Sequence, residues 1–214
     1  MEITAEMVRS LRERSGAGIM ECKTALSESH GDPEQAFQIL RKRGVASVAK
    51  RSGRTTSEGT VSSYIHPGGR VGVLLEVNCE TDFVARTAEF QEMVRNLAMH
   101  VAASQPRFVS REEVSESLLQ QEKEVYLAQA RSSGRPEAAL PKIVEGKVGK
   151  FYQDFCLMEQ PYVRDPNQTV KDYLTAVMAK TGENIRVRRF VRFALGENLS
   201  PEAVGSAPAE TVQP

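Results

Sequence analysis

Val71-Gly72-Val73-Leu74-Leu75-Glu76-Val77-Asn78-Cys79-Glu80-Thr81-Asp82-Phe83-Val84-Ala85-Arg86 joins two hydrophobic periods. Val71, Val73, Leu75, Val77 and Cys79 recur every second residue, which predicts a strand with one apolar face. Past Arg86, Phe90, Val94, Leu97 and Val101 recur at helical spacing. Thr81, Asp82, Phe83 and Val84 therefore fall on a strand-to-helix connection, where chains usually run at the surface. The residues leave two readings open. Phe83 and Val84 fold back and pin the loop to the core, or Phe83 protrudes as an aromatic wedge beside a carboxylate, Asp82, to enter a partner protein.

On the N-terminal side, residues 60–65 and 70–79 flank His66-Pro67-Gly68-Gly69, which predicts a hairpin with a four-residue loop. On the C-terminal side, the helix after the wedge is expected to end near Ser104, before Pro106. Ser110-Arg111-Glu112-Glu113 reads as a capping box opening a helix through about residue 130. Another helix is expected over about 136–158, with Ile143, Val144, Val148, Phe151 and Phe155 as its apolar face. Thr169-Val170-Lys171-Asp172 opens one carrying Leu174, Val177 and Met178 and ending at Gly182.

Residues 185–195 read as a strand with Ile185, Val187, Val191, Phe193 and Leu195 on one side and Arg186, Arg188 and Arg192 on the other. Arg189 and Phe190 break that alternation. A hairpin, a distant third strand and helices between them predict an α+β fold on an antiparallel three-stranded sheet packed with helices. Residues 1–45 read as a module of three short helices: Thr4 caps the first, the second stops at His30-Gly31, and Asp32-Pro33 opens the third, which is expected to end at Gly44. Residues 46–58 read as a linker with a helical start, 59–196 as the α+β core domain and 197–214 as a disordered tail.

Lys and Arg number 28, and so do Asp and Glu, so the chain lacks the bulk charge of a general nucleic-acid or membrane-surface binder. No apolar run approaches the roughly 20 residues that span a bilayer, and Met1-Glu2-Ile3-Thr4 lacks a secretory pattern. Cys22, Cys79 and Cys156 are sparse and far apart, which suits a reducing cytoplasm better than a disulfide framework. The expected location is cytoplasmic.

No set of residues reads as a catalytic constellation or a metal centre. His30, His66 and His100 fall in no ligand spacing, and Gly16-Ala17-Gly18 follows a helix with no phosphate-loop context. The four arginines at 186, 188, 189 and 192 are the strongest nucleic-acid cue, and an RNA-binding accessory protein is the alternative they support.

Residues 76–86 resemble the signature of the elongation factor Ts family. Leu11-Arg12-Glu13-Arg14-Ser15-Gly16-Ala17-Gly18-Ile19-Met20-Glu21-Cys22-Lys23-Thr24-Ala25-Leu26 is similar to the family's N-terminal signature, with Ser15 where threonine is usual. The resemblance covers residues 1 to about 196. It implies that the three-helix module is ubiquitin-associated-like and that the protein is a guanine-nucleotide exchange factor in translation elongation, not an enzyme. Thr81, Asp82, Phe83 and Val84 would enter the GTPase domain of elongation factor Tu, in its GDP-bound and nucleotide-free states, and disturb its magnesium site. Arg12 and Met20 match positions expected to dock on the same domain; read from the residues alone, Arg12 is a solvated helix residue and Met20 core filler. The factor would hold no cofactor, metal, nucleotide or nucleic acid itself. A single sheet domain also implies a homodimer giving a two-to-two complex, with strand 185–195 as candidate interface. A ubiquitin-like partner for the N-terminal bundle rests on fold analogy alone.

Overall fold

A computed structural model describes residues 3–197. The elements run α1 (Ala5–Ser15), α2 (Ile19–Glu28), α3 (Pro33–Arg51), β1 (Glu58–Ile65), β2 (Val71–Cys79), α4 (Asp82–Ala85), α5 (Ala88–Ser104), α6 (Glu116–Ser132), α7 (Leu140–Phe155), β3 (Pro161–Tyr162), β4 (Asp165–Thr169), α8 (Val170–Thr181) and β5 (Ile185–Ala194). The fold is mixed helix and sheet, as the two periods require.

Local signals place the first three helices. Thr4 accepts a hydrogen bond from the Met7 amide, and Gly16 ends α1 at φ +69°, a conformation a β-carbon disfavours. Asp32 caps α3 through the Glu34 and Gln35 amides, with Pro33 at the first helical position. Leu11, Cys22, Ala25, Leu26, Ala36 and Leu40 form a small core of their own. The expected stop at Gly44 does not occur: α3 runs on to Arg51. Glycine there serves packing instead, because a β-carbon at Gly44 would meet the Ala179 β-carbon at 3.3 Å. Arg51 also reaches across to the Met178 carbonyl on α8.

β2 lies between β1 and β5 in an antiparallel sheet. One face carries Val73, Leu75, Val77 and Cys79 against α5, whose Phe90, Met93, Val94, Leu97 and Val101 are all buried, and α8 adds Leu174, Val177 and Met178. The opposite face leaves Val61, Ile65, Leu74, Val191, Phe193 and Leu195 exposed.

That exposure corrects the reading of β5. A bulge interrupts its pairing with β2: Glu76 pairs with Arg189 and the next residue, Val77, with Val187, so Arg188 is the extra residue. Side chains beyond it change faces. Ile185 and Val187 are buried, whereas Val191 and Phe193 point outward; Phe190 packs against the main core, and Arg192 turns to the Ala102 carbonyl.

Two further boundaries differ. Ser110 opens only a 3-10 turn over Arg111–Glu113, because the Glu113 carboxylate turns to the Val109 amide, and Ser115 caps α6. The helix expected over 136–158 is α7 flanked by 3-10 turns at Glu137–Ala139 and Leu157–Glu159. β3 and β4, too short to show a period, pair with each other. The disordered-tail expectation for 197–214 lies almost wholly outside the described residues. Among the described residues, no helix is long and apolar enough to cross a membrane.

Candidate partner-binding site

The connection after β2 is built by two successive caps. Thr81 caps α4 by accepting from the Val84 amide, and Thr87 caps α5 by accepting from the Phe90 amide. The Thr87 hydroxyl also donates to the Val84 carbonyl, and Gln91 to the Ala85 carbonyl. These bonds fold a four-residue helix back over the start of α5.

The two readings of this loop thereby separate residue by residue. Ala85 is buried and Val84 is half-buried against the main core, so the valine is the anchor. Phe83 is 80% exposed and stands clear of the surface. Asp82 lies beside it, its carboxylate 2.9 Å from the Arg86 guanidinium one turn on.

Below the loop a polar lock joins three distant segments. Glu183, between α8 and β5, accepts from the Glu80 and Thr81 amides at 3.1 Å each and from the Thr81 hydroxyl at 2.6 Å. In return the Glu80 carboxylate accepts from the Asn184 amide at 2.6 Å and pairs with Arg54 at 3.4 Å. The buried Asn184 side chain donates to the Ser52 and Arg54 carbonyls just past α3. Sequence reading passed over Glu183 and Asn184; the only signal there, Gly182 followed by a strand period, marks a helix stop. Cys79, beneath the loop, is buried, and burial pushes its thiol up to about 11. Cys156 is likewise buried and pushed up to about 11, and Cys22 is fully buried.

In the N-terminal module, Met20 is 70% exposed, so it does not fill the bundle core, and Ile19 beside it is exposed too. Arg12 is exposed on α1 and lines a shallow depression with Arg9, Glu13 and Gly16. The Lys180 stem lies against Gly16, and its ammonium is 3.3 Å from Glu89 at the start of α5. One side chain thus spans from the α1–α2 turn to the helix that follows Phe83.

Of the four C-terminal arginines, Arg189 pairs with Glu76 at 2.7 Å and Arg192 with Glu197 at 3.2 Å, while Arg186 and Arg188 are exposed. His100 is buried deep in the core, accepting from the Val163 amide on Nδ1 and meeting Gln160 with Nε2. Among the described residues, no three His, Cys, Asp or Glu side chains converge as metal ligands would.

The family model described as elongation factor TS matches residues 40–197. The chain is 55% identical over 200 residues to an elongation factor Ts of Geobacter metallireducens, covering 94% of this chain and 93% of that protein. An elongation factor Ts of Geobacter sulfurreducens is 55% identical over 199 residues, 93% of this chain and 92% of the relative. One from Fervidobacterium nodosum is 55% identical over 197 residues, 92% of this chain and all of the relative.

Proposed function

Because this chain belongs to the elongation factor Ts family, a family of translation elongation factors, we propose that it promotes exchange of GDP for GTP on elongation factor Tu. The observation that carries the proposal is Phe83, 80% exposed on a short helix whose base is held by hydrogen bonds. Burying such a side chain in a partner contributes about 1.5–3 kcal/mol. Each 1.4 kcal/mol is about tenfold in an equilibrium constant, so a partner state that admits the ring gains roughly ten- to a hundredfold. A ligand shifts an equilibrium only by its differential affinity for the two states.

In this reading Phe83 is the wedge, Asp82 places a carboxylate beside it, and Thr81 and Val84 fix their direction from either side. The wedge disturbs the magnesium site of the GTPase, and magnesium, which bridges nucleotide phosphates and protein, is the lever through which GDP is loosened. Factor and GDP weaken each other's hold by one coupling free energy. The protein exchanges a ligand on its partner in the cytoplasm and transforms no substrate, and the nucleotide and metal stay with the partner. Met20 and Arg12, both exposed, are proposed to dock on the same GTPase domain, with the three-helix bundle as a ubiquitin-associated-like module.

Stopped-flow release of fluorescent GDP from elongation factor Tu with magnesium tests the reading. The intact chain accelerates release and Phe83→Ala blunts the effect; no acceleration by the intact chain sinks it. The RNA-binding alternative draws less support, since Arg189 and Arg192 are engaged within the protein.

A homodimer is part of the same proposal. Register brings Ile65 opposite Gly72, Gly72 opposite Phe193 and Leu74 opposite Val191, so the exposed apolar side chains form one contiguous patch on the outer sheet face. Such a patch suits a self-complementary interface. The outer face, more than strand β5 by itself, is the proposed contact.

A further inference from the structure

We infer that Glu183 is the positioning residue of the wedge, aiming Phe83 by taking up the polar groups at the base of its loop; this rests on the exchange reading above. Phe83, being 80% exposed, has little packing to hold its direction. Its aim is therefore set by the backbone of residues 80–82 and by the two anchors that follow. Past Cys79 the β2 ladder ends, and the next two amides need an acceptor. Glu183 Oε2 takes both, at 3.1 Å each.

The third bond has a separate effect. An ionised carboxylate only accepts, so at 2.6 Å the Thr81 hydroxyl donates its one proton to Glu183 Oε1. That leaves the Thr81 oxygen lone pairs to cap the helix through the Val84 amide. Glu183 thus orients both the loop backbone and the cap that begins α4. All three of its bonds go to the wedge loop, from a residue more than a hundred positions away in the chain. Its own place is fixed from behind: Gly182 closes α8 at φ +75°, and the Asn184 amide is held by Glu80. Glutamine at 183 keeps the shape but removes the charge that strengthens the bonds from the two amides. Its NH2 group, which can only donate, forces the Thr81 hydroxyl to turn from donor to acceptor while it also caps Val84.

The test uses the full chain and elongation factor Tu loaded with fluorescent GDP. Glu183→Gln is expected to lower the saturating rate of GDP release about tenfold, the scale of one lost hydrogen bond to a charged group, with the half-saturating concentration nearly unchanged. Thr81→Val is expected to do the same, Thr81→Ser to restore the rate, and the Thr81→Val, Glu183→Gln pair to be no worse than the stronger single change. A saturating rate equal to that of the intact chain overturns the positioning role and leaves the exchange reading standing.

Amide hydrogen exchange decides the case independently of activity. In Glu183→Gln the Glu80 and Thr81 amides are expected to lose protection while the α5 amides keep theirs. Unchanged protection at 80 and 81 overturns the proposal. So does loss of protection throughout α5, which would make Glu183 a residue of the fold as a whole. If the intact chain fails to speed GDP release, the exchange reading falls, and the wedge role with it, whatever the exchange pattern.

Discussion

Gly44 on α3 and Ala179 on α8 approach so closely that a β-carbon on the glycine would lie 3.3 Å from that of the alanine. Close helix packing at this point joins the first three helices to α8. Gly44→Val is expected to force the helices apart and cost about 1–3 kcal/mol, as overpacking does. Urea unfolding of the full chain measures it, and an unchanged midpoint would contradict the tight approach.

Stability is expected to fall in mild acid through His100. The Val163 amide donates to Nδ1, so Nε2 carries the proton and donates to Gln160 Oε1 at 2.9 Å. Gln160 is oriented by its own bonds to the Ser104 and Asp154 carbonyls. Burial lowers the His100 pKa below its ordinary value. The unfolded chain therefore binds a proton as pH drops through about 6.5 while the native state resists it, so this contribution is lost below that pH, at up to about 1.4 kcal/mol per unit. The loss levels off below the native-state pKa. Urea unfolding between pH 7.5 and 5, compared with His100→Gln, checks it: the variant should show the shallower decline.

The Asp82–Arg86 pair predicts a small effect on stability. Arg86 is largely exposed and Asp82 about half so, and solvent therefore screens the pair; Arg86→Ala should change stability by less than about 1 kcal/mol. A thermal melt tests this, and a large drop would mean that Arg86 holds the loop in some other way.

The outer sheet face yields a solution prediction. Phe193 is exposed, so Phe193→Lys should leave the monomer fold within about 0.5 kcal/mol of the parent. It should nevertheless abolish any dimer seen by sedimentation equilibrium. A parent that sediments only at its monomer mass of 23.7 kDa at micromolar concentration removes the dimer from the proposal.

Residues whose role is local were legible in the chain. Thr169 with Asp172, Asp32 with Pro33, and Gly182 act as their types suggest, because each bonds or bends within one helical turn. Gly44 was misread because its neighbour, Ala179, is distant in sequence: a helix-stop residue and a close-packing residue look alike until the second helix is in place. The bulge at Arg188 has the same origin. The broken alternation was visible, but which residues face inward depends on registration with β2. For the candidate site, sequence placed Phe83 on a connection and left its direction open. Direction depends on Glu183, a carboxylate in an unpatterned turn whose partners lie across the fold.

The buried cysteines make the protein convenient for spectroscopy. The thiolate is the form that reacts with maleimides, and at neutral pH Cys79 and Cys156 hold almost none of it, while Cys22 is wholly enclosed. A single cysteine introduced at exposed Val125 on α6 would then take up a dye selectively in the native protein, with all three natural cysteines left in place.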